Sequence, residues 1–409
     1  MAEKLPFLKV RGTKITTASG KGIMLRGVAL GGWLMMEGYM SAGRNIPEKI
    51  FREEFSKAFG KDELAQFTRE FRDTYIQEED IRRIKGWGAN CVRIPFNYRI
   101  VEFEDRAYSF NEEGLKYLDS AVEWCERNGI YCILDMHAAP GGQNPDWHAD
   151  CVGKPEFFTN DFNKDRFFRL WRFLSDRYKS SSAVAGYDVI NEPFISFLEE
   201  DRLKEIYDRV VAEIRDTDKE HIIFLEGNFW AQRISFLGRP KDKNVAYSIH
   251  TYPPPEYVFN LEPGLTYPGK VYNITWNKNK LDFFARQYAA FAKKADVPIY
   301  VGEFGIAWRG GHFGEDRWVN DMVDLYKKYG FHWTYWTYKT VANYTYPDGL
   351  IRYIKNPSWV KRGGPVTGWE NFYTTWQKER SHIVDSWKTG EFEPNDKLIG
   401  LLKKYWQRP

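Results

Sequence analysis

Two glutamates stand apart from the other acidic residues because each ends a short apolar run. The stretch Gly186-Tyr187-Asp188-Val189-Ile190-Asn191-Glu192-Pro193 reads as a strand that delivers an amide and a carboxylate to its C-terminal lip. Pro193 has no N–H for a sheet ladder and biases Glu192 toward extended backbone, so the strand is expected to stop there. Val297-Pro298-Ile299-Tyr300-Val301-Gly302-Glu303-Phe304-Gly305 has the same form and carries Glu303 out at its end. Two carboxylates on the rims of different strands can divide the labour of one reaction. One is held protonated as a general acid and base, the other ionised as a nucleophile, and β-glycoside hydrolysis with retention of configuration needs that division. The plainer alternative for each is a strand-end acid satisfied by a neighbouring helix.

Positioning such a pair requires a scaffold that brings several strand ends together, and the chain supplies the pattern for one. Strands are expected at 24–30, 90–96, 131–137, 186–193, 221–225, 245–250, 297–303 and 331–338. Helical spacing falls at 48–59, 63–71, 76–85, 111–127, 161–178, 201–216, 278–295 and 318–329, with a closing helix at 393–406. On helix 76–85, Glu79, Asp80 and Arg82 read as the polar side, with Ile81 and Ile84 inward. With right-handed crossovers this alternation predicts an α/β fold, a (β/α)8 TIM barrel forming one domain over residues 1–409. A doubly wound open sheet is the competitor, but no glycine-rich nucleotide turn follows the first strand. Residues 5–10 and 14–17 read as an N-terminal hairpin turning at Arg11-Gly12-Thr13 and plugging the bottom of the barrel. Two insertions follow strand C-termini and should overhang the active face: 251–276, rich in Pro and Tyr, and 339–388, which carries Tyr344, Tyr346, Trp359, Trp369, Trp376 and Trp387.

Composition narrows the classes of function. With 43% apolar and 28% charged residues, the 409-residue chain can bury one large core, and no run approaches the ~20 apolar residues of a membrane span. The 59 basic and 56 acidic residues are spread without a long single-sign block, so the net charge of +3 gives nucleic-acid binding no support. Cys91, Cys125, Cys132 and Cys151 form no C-x-x-C pair, and no metal site is expected from them. His148, Cys151 and Asp146 could suggest a metal cluster, against the plainer reading of solvated loop residues. The start Met-Ala-Glu-Lys-Leu-Pro has no apolar signal core, which reads as a cytoplasmic chain, or as a secreted one whose leader has been removed. Aromatics make up 17% of the chain, with 16 Trp and 25 Tyr; sugar rings stacked on aromatic faces are one use for such an excess and a large barrel core is the other.

The ends of the expected strands carry Arg93, His137, Asn191 with Glu192, His250 with Tyr252, Glu303 and Trp336. In this set Arg93 and the Tyr252 phenol would keep Glu303 charged, while Glu192, as acid and base, would need a drier, carboxylate-facing environment. Asn191 could donate its amide to a sugar 2-hydroxyl, and Trp336 offers a flat apolar platform. Taken singly, Arg93 reads as a salt-bridged barrel residue and His137 or His250 as a satisfied core histidine. Trp33, Glu37, Gln143, Asn144, Trp230 and Lys339 divide between sugar contact and loop packing.

Arg93-Ile94-Pro95, Asp135-Met136-His137, Asn191-Glu192-Pro193, His250-Thr251-Tyr252, Gly302-Glu303-Phe304-Gly305 and Trp333-x-x-Trp336 together resemble glycoside hydrolase family 5, retaining β-glycosidases of clan A with a (β/α)8 fold. The resemblance covers residues ~24–340 and implies Glu192 as acid and base, Glu303 as nucleophile, and Arg93, His137, Asn191, His250, Tyr252 and Trp336 as the surrounding pocket. Gly27-Val28-x-Leu30-Gly31-Gly32-Trp33 with Glu37 and Tyr39, and Ala139-Pro140-Gly141-Gly142-Gln143-Asn144, are similar to the exo-β-1,3-glucanase branch. Implied is a cofactor-free hydrolase of β-1,3- or β-1,4-glucosidic bonds in oligosaccharides or glycosides. A β-mannosidase, an endo-β-glucanase, a glycolipid-cleaving relative and a transglycosylase stay open, as does the oligomeric state. A non-catalytic glycan-binding barrel is the alternative of another class, but it would need neither strand-end glutamate. Glu37 and the two aromatic insertions predict a cleft walled at one end, which admits a chain terminus and acts exo; the plainer reading is an open groove.

Overall fold

Eight parallel strands pair in chain order and close on themselves: Arg26–Ala29, Cys91–Asn97, Tyr131–Ala138, Val184–Asp188, Ile222–Glu226, Val245–His250, Ile299–Phe304 and His332–Tyr335, the last returning to the first. The structure, a computed structural model, describes residues 4–41, 43–343, 345–360 and 369–407, without the side chains of 369–374. A helix follows each of strands two to seven and a closing helix, Asp396–Trp406, completes the ring, so the protein is a (β/α)8 barrel as the alternation predicts. The fit is tight enough to dictate residues. A Cβ at position 27 would fall 1.8 Å from the Cys91 carbonyl oxygen, so the first two strands reach their spacing because Gly27 has none. Asparagine starts several helices in the same way: Asn111, Asn160, Asn277 and Asn395 each accept a hydrogen bond from a backbone N–H in the first turn that follows.

The N-terminal hairpin, Leu8–Arg11 with Lys14–Thr17, gains a third short strand at Gly22–Ile23. Leu8 and Ile15 pack on Leu25, Tyr131, Ile222 and Phe224, inward residues at the lower end of the barrel, which they close. All four cysteines are buried with free thiols. No helix among the described residues is long and apolar enough to cross a membrane.

Three expectations are corrected. The fourth strand stops at Asp188, and Asn191 and Glu192 stand beyond it; Glu192 is not extended but has φ +48°, a left-handed conformation uncommon for a residue with a side chain and disfavoured before proline. Asp80 is buried and not on a polar face. It accepts the Gln77 N–H in a capping box on Glu78–Trp87 and the hydroxyls of Tyr338 and Thr389. Among its described residues, the 339–388 insertion overhangs the active face only near Tyr346 and Pro347. Its helix, Trp369–Ser386, packs instead against Glu48–Phe59 and Lys61–Tyr75, where Trp376 meets Phe55 and Phe67 edge-on and Trp387 meets Phe67 and Phe71. Trp359 is likewise buried in the core; Tyr344 and the Trp369 side chain lie outside the described residues.

Trp376 is therefore expected to matter for stability. Trp376→Ala should cost ~3–5 kcal/mol, the usual loss for truncating a buried tryptophan, and lower the denaturant midpoint accordingly. An unchanged midpoint would return this insertion to the barrel mouth.

Candidate active site

The upper end of the barrel is organised around Arg93 on the second strand, whose side chain is completely buried. Its guanidinium lies 2.7 Å from Glu303 Oε1, 3.1 Å from Asp135 Oδ2, 3.1 Å from Asp188 Oδ2 and 3.2 Å from Glu226 Oε1. It also donates to Asn191 Oδ1 at 2.8 Å. One cation cannot neutralise four acids, and burial raises Asp135 to about 8 against the pull of Arg93, and raises Asp188 well above its ordinary value. The cluster thus sheds charge by taking up protons.

Glu192 sits above this cluster in a loop held by three buried polar side chains. Its N–H donates to Glu226 Oε2 at 2.6 Å, its carbonyl accepts from Asn144 Nδ2 at 2.9 Å, and Gln143 Nε2 donates to the preceding Asn191 carbonyl at 2.7 Å. These bonds keep the left-handed Glu192 backbone in place. Its carboxylate then meets two imidazoles, with Oε1 2.7 Å from His250 Nδ1 and Oε2 3.4 Å from His148 Nε2. Glu303, on the seventh strand, receives Arg93 on Oε1 and the Tyr252 hydroxyl on Oε2 at 2.9 Å. A carboxylate oxygen of Glu192 and one of Glu303 lie within 4.8 Å of each other, with His250 Nδ1 2.7 Å from Glu192 Oε1 and 3.6 Å from Glu303 Oε2. Gly302 makes room for that imidazole, since a Cβ there would stand 2.9 Å from His250 Nε2.

The histidines differ in charge for reasons their neighbours make plain. Burial disfavours the charged form of His250, but Glu226, Glu303 and Glu192 surround it and raise it well above its ordinary value. Burial would raise Glu192, yet the hydrogen bond from His250 and the charges of His250 and His148 outweigh it and bring it down to about 2. Burial likewise opposes charge on His148, which its hydrogen bond to Asp146 and the fields of Glu192 and Glu37 lift to about 9. His137 has no such surplus of acids; burial drives it to about 3, and it stands neutral, Nδ1 on Asp135 at 2.8 Å and the ring stacked on Trp336. Burial also raises Glu37 to about 8 against His148, with Glu303 and Glu192 adding to the rise.

Around these groups lies a cavity of about 350 Å³ lined by Glu37, Tyr39, His137, His148, Glu192, Tyr252, Glu303 and Trp336, with Trp147, Trp230, Phe259, Leu261 and Tyr346 as its apolar members. Trp336 is fixed by Nε1 donating to the Tyr39 hydroxyl at 2.7 Å. Glu192, His250 and Glu303, or Asp135, Asp188 and Glu226, have the spacing to ligate a cation. In the first group His250 already bridges the acids, and in the second Arg93 occupies the centre.

Of the residues picked out by sequence, Glu192, Glu303, Arg93, His137, Asn191, His250, Tyr252, Trp336 and Glu37 meet here, and Trp230 lines the cavity. Asn144 and Gln143 lie beneath the pocket, buried against backbone. Two residues go elsewhere. Trp33 is buried with Nε1 on the Arg72 carbonyl and its ring stacked on Trp124, and Lys339 is buried with Nζ on the carbonyls of Tyr75 and Trp387 and on the Thr389 hydroxyl. Burial lowers Lys339 to about 7. Glu192 is imidazole-facing and not in the carboxylate-facing environment expected, and His148 and Asp146 belong to the pocket wall, not to a solvated loop. Asp188, Glu226 and the acid of Asp135 were missed as site residues. Their signal is an acid inside an otherwise apolar strand, which burial tolerates only with a partner.

A family model described as cellulase, glycosyl hydrolase family 5, matches residues 55–341. A β-xylosidase of Phanerodontia chrysosporium is 31% identical over 98% of this chain and 83% of its own length. Endoglucanase C of Acetivibrio thermocellus is 26% identical over 67% of this chain and 87% of its own. The crystal structure of endoglucanase Cel5A from Thermotoga maritima superposes with a TM-score of 0.58 at 21% identity, covering 76% of this chain and 89% of that one.

His148 supplies a stability test. Its pKa rises from 6.5 to about 9 on folding, so its stabilising contribution is complete below pH 6.5 and is lost as pH rises toward 9. The melting temperature should fall across that window, and His148→Gln should flatten the fall; an identical slope in the variant would show that the His148 ion pairs contribute nothing.

Proposed function

Because the chain belongs to glycoside hydrolase family 5, a family of glycoside hydrolases, we propose that its pocket cleaves terminal gluco-configured residues, glucose or xylose, from β-glycosides with retention of configuration. The observation that carries this reading is the separation of Glu192 and Glu303, whose nearest carboxylate oxygens fall within 4.8 Å. Retaining enzymes hold their carboxyls ~5–5.5 Å apart, whereas inverting ones leave ~6.5–9.5 Å for a water molecule. Arg93 and Tyr252 occupy both oxygens of Glu303 and aim it at the anomeric carbon. In the first step a Glu303 oxygen bonds to that carbon while the bond to the leaving oxygen breaks, and Glu192 gives the leaving oxygen its proton. In the second, Glu192 takes a proton from water, the water oxygen bonds to the anomeric carbon, and Glu303 departs.

Glu192 must carry a proton for the first step, although before a substrate enters that proton belongs to His250. The two share a 2.7 Å hydrogen bond and act as one proton store, His250 Nδ1 passing its proton to Glu192 Oε1 as the leaving oxygen approaches. Asn191, fixed through Oδ1 by Arg93 and with Nδ2 3.5 Å from His137 Nε2, has an amide hydrogen left for the sugar 2-hydroxyl. A cavity of about 350 Å³ is near the low end of the ~300–1,000 Å³ usual for ligand sites, which suits a chain terminus better than a continuous polymer. Glu37 on its wall is placed to bind hydroxyls of the terminal sugar. Xylose is glucose without its hydroxymethyl arm, and the relatives bear names of both kinds, so a substrate panel must include both.

Glu303→Ala should lose at least ~10⁴-fold in kcat on every glycoside. Glu192→Ala should still form the glycosyl-enzyme from aryl glycosides with good leaving groups, then turn over slowly until azide is added; absence of a β-glycosyl azide would remove Glu192 from the acid and base role. The rate against pH should be bell-shaped, with the basic limb lost in Glu192→Gln. Product analysis on a long β-glucan or xylan should show monosaccharide in the β-anomer from the first minutes, and a ladder of intermediate oligosaccharides would overturn exo action.

A further inference from the structure

We infer that a second, apolar cavity beside the pocket receives the aglycone of an amphipathic β-glycoside, so that the preferred substrate joins a terminal sugar to an apolar alcohol. This rests on the exo-acting β-glycosidase reading. The cavity, about 290 Å³, lies between the sixth strand and the helices Lys278–Ala295 and Glu315–Tyr329, where Ile249, Leu281, Ala285, Met322 and Leu325 contribute to its lining. Trp230, Tyr252 and Phe259 line both this cavity and the pocket, so the two share a wall.

The chemistry of the lining selects the occupant. A second sugar would bring several hydroxyls in need of partners, but the hydroxyls of this lining are already engaged. Thr251 and Tyr326 bond to each other at 2.5 Å, Tyr288 donates to the Gln232 carbonyl at 2.8 Å, and Tyr252 donates to Glu303. Apart from the Gln232 amide, the His250 ring and the Trp276 indole, what remains is hydrocarbon and aromatic surface, which favours an apolar group. The position suits a leaving group. Trp230 Nε1 donates to Asp146 Oδ2 at 2.7 Å, Asp146 faces His148, and His148 faces Glu192 Oε2, so this wall connects to the carboxylate that serves the leaving oxygen. Phe229, Trp230 and Ala231 hold Trp230 there on three successive positive φ angles of 53°, 53° and 59°, a costly backbone for residues with side chains.

The surface around the mouth is of the same character. Among the described residues, every exposed large hydrophobic side chain follows a barrel strand, in the loop or in the early turns of the next helix, and none lies at the opposite end. Phe197 and Leu198 follow Glu192 in its loop, Leu261 lines the pocket, and Tyr272, Ile274 and Phe283 are close in sequence to Trp276 and Phe284, which line the apolar cavity. Exposed apolar groups gathered on one end of a barrel mark where an apolar ligand approaches.

The test is a series of alkyl β-glucosides from methyl to octyl, and the matching xylosides, each below its micelle concentration, with laminaribiose, cellobiose and p-nitrophenyl β-glucoside alongside. kcat/KM should rise roughly two- to fourfold per added methylene until the cavity is filled, as expected for moving each from water into an apolar site. Ala285→Phe, which fills the cavity from the helix side, should collapse the octyl-to-methyl ratio at least tenfold, with a melt confirming that the variant is folded. Should it fail to fold, binding of uncleavable octyl against methyl β-thioglucoside to the unmodified protein gives the same comparison. A flat alkyl series with the disaccharides and aryl glucoside still cleaved would overturn the apolar site alone. Failure to cleave any β-glycoside would overturn the function it rests on.

Discussion

Burying the Arg93 guanidinium among Asp135, Asp188, Glu226 and Glu303 is the constraint on which the upper barrel depends. An ion removed from water carries a penalty of several kcal/mol, recovered only where partners are close and well aligned. The four acids come from the third, fourth, fifth and seventh strands, so a single cation from the second fixes the relative height of much of the ring. Its bond to Asn191 carries that order into the loop of Glu192, and its bond to Glu303 carries it to the opposite wall. Replacing Arg93 would leave buried acids without a counter-ion, so structure and site would fail together.

Proton placement follows from the same crowding. His250 and His137 are both buried on strand ends, yet one is held charged and the other neutral, because His250 lies among Glu192, Glu226 and Glu303 while His137 contacts chiefly Asp135 and the Trp336 ring. Glu226 has a double part. It accepts the Glu192 N–H, which sets where the carboxylate stands, and it faces His250 Nε2, which helps to set where the proton resides. A carboxylate that touches no sugar thereby governs one that does in the proposed reaction.

The aromatic residues fall into two populations by location. Trp376, Trp387, Trp33 and Trp359 fill the layer between the barrel and its added helices, where they bury area and meet edge to face or in stacks. Trp147, Trp230, Trp336 and Tyr346 line the pocket. Composition cannot separate these groups, since both use the same ring.

Much was legible in the sequence because it is local. Alternating strand and helix periods and acids at the ends of apolar runs are each readable within a few residues, and they gave the closed barrel, its closing helix and the placing of Glu192 and Glu303 at strand ends or just beyond them. What lay hidden is decided by neighbours far away in the chain. Asp188 and Glu226 read as unremarkable acids until Arg93 is seen between them, and Lys339 reads as a rim residue until its ammonium is found on the carbonyls of Tyr75 and Trp387. The protonation of Glu192 was misjudged for the same reason: its value depends on His250 and His148, which reach it from other strands and loops. A strand period fixes which residues point into a barrel, but the charge a buried group carries is set by the summed field of side chains that only the closed ring brings within a few ångströms of one another.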